Sequence, residues 1–283
     1  MKKRTLTVAV GDPGTLGSAV AKRLGLTYAK AALLVARGSV HLDGKRAADA
    51  TVRVHPGAKI IVFQPPDAAD ASPLVFAYED EWLVVVDKPP GVPSQATRSE
   101  AASALDAQVQ ARLPEARMMH RLDRDASGLV LFARAPEARA PLQAALESGR
   151  IERHYRAVVG GRLEGEGRIA LRIGRDPDDE RRRIAHPEHS EAGQSATSHY
   201  RVLRHGASST VLSLELETGR THQLRVHLQA IGHPILGDRL YGGAPAERLC
   251  LHAERMTLPH PRDGRPVKVE SPVPPALHAD DPS

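Results

Sequence analysis

A chain of 283 residues, 41% hydrophobic but only 3% aromatic, is long enough for one large domain or a large and a small one, with a core built from Val, Leu, Ile and Ala. That composition excludes a disordered chain, a single cysteine (Cys250) excludes a disulfide framework or a cysteine zinc site, and no apolar run approaches the roughly 18 residues of a membrane span. The net charge of +5 is unevenly placed: residues 1–66 hold 11 Lys and Arg against 3 Asp and Glu, and the remainder holds 28 against 31, so the first stretch presents the surface that suits a polyanion such as nucleic acid. The apolar run 5–10 is stopped by Gly11-Asp12-Pro13 before it reaches the length of a secretory leader, and a reducing cytoplasm is the expected compartment.

Residues 15–64 read as a small module. Helical stretches run from Ser18 to Leu24 and from Thr27 to Arg37, with Thr27 as N-cap and Gly38 as left-handed C-cap. Strands follow at Val40–Leu42, before the hairpin turn Asp43-Gly44, and at Lys59–Phe63. Lys22, Arg23, Lys30, Arg37, Lys45 and Arg46 would form a basic face. The run Gly38-Ser39-Val40-His41-Leu42-Asp43-Gly44-Lys45 resembles the turn of the S-four type RNA-binding domain, although Thr15-Leu16-Gly17 stands where that domain usually has Arg-Leu-Asp. On this reading residues 1–64 form a small α/β RNA-binding domain, 65–73 a Pro/Ala/Asp linker, 74–275 a second domain and 276–283 a tail.

In the second domain, strands are expected at Leu74–Ala77 and Trp82–Val86, a helix at Ser103–Leu113, a strand at Leu129–Ala133, a helix at Pro141–Ser148 and a strand at Tyr155–Val159. Residues 174–195 are polar and separate strand-like runs at 169–173 and 199–203, so they read as a hairpin or loop able to close over a ligand, or as a plain charged insertion. Val211–Leu216 alternates as a strand. A helix capped by Thr221 follows, with Leu224, Leu228 and Ile231 on one face and Arg225 at its border.

Two runs carry the chemistry. His120-Arg121-Leu122-Asp123-Arg124-Asp125-Ala126-Ser127-Gly128 crowds charged groups onto a loop ahead of a strand, as an active-site loop does; alternatively Asp123 and Asp125 only neutralise Arg121, Arg124 and Arg134 on a solvated turn. In Glu217-Thr218-Gly219-Arg220-Thr221-His222-Gln223-Leu224-Arg225-Val226-His227, Arg225 is placed to reach a partly buried carboxylate. His222 and His227 are five apart, a poor spacing for two ligands on one helix face, and no metal site is expected.

These runs resemble the RluA family of pseudouridine synthases. Its signature His-Arg-Leu-Asp-x-x-Thr-Ser-Gly-Leu-Leu-Leu stands here as residues 120–131, with Ala126 for Thr. Its Asp-Lys-Pro-x-Gly appears as Asp87-Lys88-Pro89-Pro90-Gly91, its Lys-x-Tyr-x-Ala as Arg153-His154-Tyr155-Arg156-Ala157, and its Thr-Gly-Arg-Thr-His-Gln-Ile-Arg-x-His as Thr218 to His227. The resemblance implies an α+β fold with a mixed, largely antiparallel sheet, and an enzyme that detaches uracil from its ribose, turns it and rejoins it through carbon 5 without a cofactor. It further implies Asp123 as the catalytic carboxylate, Arg225 as its ion-pair partner, Tyr155 stacked on the base or assisting proton removal, and His120, Arg121 and Arg220 gripping the RNA around a flipped uridine. Large-subunit ribosomal RNA is favoured over transfer RNA, and a monomer is expected. The rivals are a non-catalytic RNA-binding or ribosome-assembly factor and a hydrolase using Asp123 with Asp125 as a carboxylate pair.

Overall fold

The computed structural model describes residues 2–9, 12, 14–36, 39–64, 74–95 and 103–278. The chain forms two compact units, Met1–Pro73 with Val92–Pro114, and Leu74–Gly91 with Glu115–Ser283. Residues 92–114, expected within the second domain, thus group with the N-terminal residues. Arg37, Gly38, the 65–73 linker and residues 279–283 of the tail lie outside the described residues.

In the first unit, β1 (Lys2–Thr7), β2 (Val40–Leu42), β3 (Lys45–Arg46) and β4 (Lys59–Gln64) make an antiparallel sheet in the order β1-β4-β2-β3, with α1 (Leu16–Leu24) and α2 (Tyr28–Ala36) contributing to the same core. Thr15 caps α1 by accepting the Ser18 N–H, and Gly25 ends it with a φ of 66°. Thr27 Oγ1 accepts the Lys30 N–H at 3.4 Å, the capping bond expected at α2. Asp43 and Gly44 both have positive φ, 47° and 80°, as a two-residue hairpin turn demands. Gly17 explains part of the Thr15-Leu16-Gly17 departure: a Cβ there would lie 2.8 Å from the Tyr28 ring, so the glycine lets the two helices pack closely. Leu16, Val20, Val35, Val40, Ile60 and Val62 fill the core. A further helix, α3 (Leu105–Arg112), also belongs to this unit and buries Leu105 and Val109.

The second unit is built on one eleven-stranded sheet. Its strands are β5 (Val75–Glu79), β6 (Leu83–Lys88), β7 (Arg117–Met118), β8 (Ser127–Ala133), β9 (Glu152–Gly160), β10 (Glu166–Arg175), β11 (Arg183–His186), β12 (Gln194–His205), β13 (Ser209–Leu216), β14 (Leu251–Pro259) and β15 (Pro266–Glu270). They run in the order β11-β10-β12-β13-β9-β14-β8-β6-β5, with β15 on β14 and β7 on β8. Its α-helices among the described residues are α4 (Arg139–Glu147) and α5 (Gln223–Ala230). β8 is buried along its whole length, which is why it lacks the apolar-polar alternation of a half-exposed strand. Leu83, Val85, Leu129, Leu131, Leu142 of α4 and Leu258 belong to one apolar cluster.

Among the described strands only β8 and β14 pair in parallel, through Ser127 with His252 and Gly128 with Ala253; all other pairings are antiparallel, giving the mixed, largely antiparallel α+β fold. Residues 174–195, expected as a hairpin or loop or as a plain charged insertion, include an antiparallel hairpin at the edge of the sheet. β10 and β12 extend through both flanks, and β11 adds an edge strand by pairing residues 183–186 with 172–175.

Candidate active site

Two loops meet at one cavity of about 520 Å³ in the second unit, and Asp123, Tyr155 and Arg225 all line it. The first loop, 120–126, is fastened from behind. The buried Lys88 ammonium donates to Arg124 O at 2.9 Å and Pro89 O at 3.0 Å, and the Gly91 N–H donates to Arg124 O at 2.9 Å. Burial pulls the Lys88 ammonium down to about 7, against the upward pull of Asp123 and Asp125. At the end of the loop Ser127 Oγ accepts from Arg248 at 2.6 Å and shares a 2.8 Å hydrogen bond with His252 Nδ1. Gly128 has a φ of 107°, and a Cβ there would overlap the Ala253 backbone, so the loop can join β8 at the parallel pairing only through glycine.

The second loop, 217–222, is fixed by Gln223. Its side-chain oxygen accepts from Thr218 Oγ1 and from the Arg220 N–H, while its amide donates to Thr197 O at 2.9 Å and Ser198 Oγ at 3.0 Å on β12. His227, one turn further on, hydrogen-bonds Ser198 Oγ at 3.0 Å, so both ends of α5 are tied to β12. The N-cap of α5 is not Thr221 as expected. It is His222, with a φ of 58° and no capping side-chain bond, while Thr221 Oγ1 accepts from Arg121 instead. Ile231 also departs from expectation: it follows the last helical residue and is exposed, whereas Leu224 and Leu228 are buried.

Arg225 brings the loops together. Its guanidinium grips Asp238 by a fork, Nε to Oδ2 at 2.7 Å and Nη2 to Oδ1 at 2.9 Å, and donates Nη1 to Asp123 Oδ2 at 3.1 Å. Burial disfavours the Arg225 charge, but the Asp238 hydrogen bonds and the two carboxylates outweigh it, and its pKa is raised. Its Cζ lies 4.9 Å from the centre of the Tyr241 ring, and the Leu240 and Tyr241 N–H groups donate to Asp238 Oδ1. Asp123 is therefore held through Oδ2 by a cation that is itself neutralised and braced. Oδ1 has no hydrogen bond among the described residues, and His222 Nε2 lies 4.0 Å from it.

Tyr155, on β9, is buried, and burial followed by Asp123 raises its phenol pKa against the pull of Arg153. His120 Nε2 accepts the Leu131 N–H at 3.2 Å, and burial with the nearby Arg153 charge lowers its pKa to about 3, so it meets a ligand as a neutral imidazole and not as a phosphate-binding cation. Arg121 and Arg220 stand exposed on the rim. Asp125 is exposed and absent from the cavity wall, so it is not brought together with Asp123 as a carboxylate pair. Ala126, where the family signature has Thr, is buried in the wall.

In the first unit Lys22 and Arg23 share an ion pair with Asp12, at 3.3 and 2.7 Å, while Lys30 and Lys45 are exposed. Sequence reasoning missed Asp238, Tyr241, His222 and Arg153. Arg153 lines the cavity two residues before Tyr155, on the same face of β9, with its Nε buried and lacking a hydrogen-bond partner. Asp238 and Tyr241 had a signal, as two of the three polar residues, with Arg239, of the run Gly237-Asp238-Arg239-Leu240-Tyr241-Gly242.

The family model described as RNA pseudouridylate synthase matches residues 82–230. The ribosomal large subunit pseudouridine synthase D of Nitrosomonas europaea is 39% identical over 73% of this chain, which spans 64% of that protein's length. The protein of the same name in Pseudomonas aeruginosa is 36% identical over 82% of this chain and 81% of its own. Among solved structures, human RNA pseudouridylate synthase domain containing 1 superposes with a TM-score of 0.62 at 28% identity, over 74% of this chain and 86% of that one. With a family model matched over more than half its length and a relative aligned along four fifths of both proteins, the chain belongs to the RNA pseudouridylate synthases.

Proposed function

We propose that this chain converts a uridine to pseudouridine in large-subunit ribosomal RNA, acting in the cytoplasm as a monomer without a cofactor, and that Asp123 is its catalytic carboxylate. The observation that carries the site assignment is the Arg225 bridge: Asp123 Oδ2 is bound at 3.1 Å by a guanidinium already forked onto Asp238, in a cavity walled by Tyr155. Isomerisation requires a carboxylate that meets the sugar or the base, and the braced guanidinium holds Asp123 in place for that contact. With Oδ2 occupied, Oδ1 is the atom presented to the nucleotide.

Tyr155 supplies an apolar ring and a neutral hydroxyl to the base. Arg121 and Arg220 on the rim suit the phosphates that flank a flipped nucleotide, and His120 suits a neutral hydrogen-bonding role. The N-terminal unit is assigned to RNA binding, with exposed Lys30 and Lys45 as its phosphate contacts, Lys22 and Arg23 contributing once released from Asp12, and Arg37 by its charge alone. The ribosomal target rests on the names of the relatives at 36–39% identity.

The test is pseudouridine formation on large-subunit ribosomal RNA transcripts, with modified positions mapped. Wild type forms pseudouridine at a defined uridine; Asp123→Asn forms none while still binding the transcript. Turnover by Asp123→Asn removes Asp123 from the reaction, and transfer RNA modified in preference to the transcript replaces the substrate.

A further inference from the structure

His222 stands beside the catalytic carboxylate in a conformation that histidine rarely adopts, and its hydrogen-bond partner favours one placement of the imidazole proton. Tyr241 Oη accepts the Arg183 N–H at 2.8 Å and lies 2.9 Å from His222 Nδ1. A phenol hydroxyl has one proton to give, and burial keeps the Tyr241 hydroxyl protonated. The arrangement that uses every group has Arg183 donating to Tyr241, Tyr241 donating to Nδ1, and the imidazole proton on Nε2. Nε2–H then faces Asp123 Oδ1 across 4.0 Å, too far for a direct hydrogen bond and close enough for one oxygen to stand about 2.8 Å from each.

That oxygen must accept from Nε2–H and donate to a carboxylate. A uracil carbonyl accepts only, and uracil N3–H donates only. Inside an RNA strand the 3′ and 5′ oxygens of ribose are tied up in phosphodiesters, so the one sugar group able to do both is the 2′-hydroxyl. It sits on the carbon next to the anomeric centre, where the base is detached and rejoined. We infer that His222 binds the 2′-hydroxyl of the target nucleotide in a bridge to Asp123 Oδ1, making Tyr241 and His222 the group that recognises ribose at the reacting position. The inference rests on Asp123 being the catalytic carboxylate. It gives the left-handed backbone at residue 222 a purpose: the strain aims the ring at the sugar.

The test compares RNAs carrying either uridine or 2′-deoxyuridine at the mapped position, in single-turnover reactions with wild type, His222→Gly, His222→Asn and Tyr241→Phe. Glycine takes a φ of 58° freely and asparagine tolerates it, so both variants keep the turn, which unfolding followed by the fluorescence of the single tryptophan, Trp82, verifies. Wild type loses roughly tenfold to hundredfold on the 2′-deoxy substrate, the worth of a hydrogen bond to a charged group. His222→Gly shows that loss on uridine and loses less than about threefold more on 2′-deoxyuridine, because the bridge is already gone. Tyr241→Phe shifts in the same direction by less, and His222→Asn recovers part of the discrimination through its amide. Independent, multiplying losses in His222→Gly, or a wild type indifferent to the 2′-hydroxyl, would overturn the inference. Neither result touches the Asp123 assignment, which stands or falls with Asp123→Asn.

Discussion

At the scale of single residues the Asp123–Arg225 pair is braced by a carboxylate that does not line the cavity. Asp238 is fully buried and takes both arms of the Arg225 fork, so Arg225 can lend its third nitrogen to Asp123 without being drawn out of place. Asp238→Ala strands a buried guanidinium, which costs about 3–5 kcal/mol of stability, and lets Asp123 lose its partner. We expect a thermal unfolding midpoint lower by several degrees and a fall in single-turnover rate of more than tenfold with RNA affinity retained; an unchanged rate in folded protein would remove Asp238 from the site. That Asp123, Tyr155 and Arg225 come together at one cavity was legible in the sequence, because each stands in a dense motif of unusual residue types. Asp238 and Tyr241 stand in such a run too, but their role comes from a fork and a ring face that only three-dimensional contact creates. His222 was weighed as a metal ligand by its spacing from His227, and spacing along a helix says nothing about a residue whose φ lies outside the helix.

At the scale of elements the legible parts were those whose pattern is local. α1, α2 and α4, the Asp43-Gly44 hairpin and the strands β6, β8, β9 and β13 all show caps, turn residues or sustained apolar runs. β1 was hidden because its Lys-Lys-Arg opening resembles a solvated tail, while its partner β4 lies more than fifty residues away. β14 was hidden because a bulge between Ala253 and Arg255 breaks the alternation and sets Glu254 and Arg255 side by side. The bounds of the strands within 174–195 were hidden because the edge strand β11, Arg183-Ile184-Ala185-His186, is too short to carry a periodic signal. Gly128→Ala tests the one parallel pairing. Its added Cβ meets the Ala253 backbone in a conformation already unfavourable to L residues, so we expect a loss above about 3 kcal/mol, read as a collapse of the urea midpoint or as insoluble protein. A Gly128→Ala protein as stable as wild type would mean that β8 and β14 part readily.

Over the molecule as a whole, buried neutral histidines set how the fold responds to acid. Burial lowers His227 to about 4, against an ordinary 6.5, and His120 to about 3. The unfolded chain therefore takes up protons below pH 6.5 that the folded chain refuses, so stability is full above pH 6.5 and falls as pH drops toward 4, where His227 itself titrates. His227 alone accounts for about 3 kcal/mol of that fall. We expect urea midpoints to decline between pH 6.5 and 4, and His227→Asn, which preserves a donor or acceptor for Ser198, to flatten the slope by up to one proton; an identical slope would show that His227 does not carry the linkage. The β8–β14 pairing has a consequence in time as well as in space. Ser127 and Gly128, at the root of the Asp123 loop, are seated against His252 and Ala253, so the loop waits for a partner synthesised well over a hundred residues later. A nascent chain emerging from a ribosome thus has its aspartate exposed long before it has an active site, and the enzyme gains competence to modify RNA only once β14 is free to slide in beside β8.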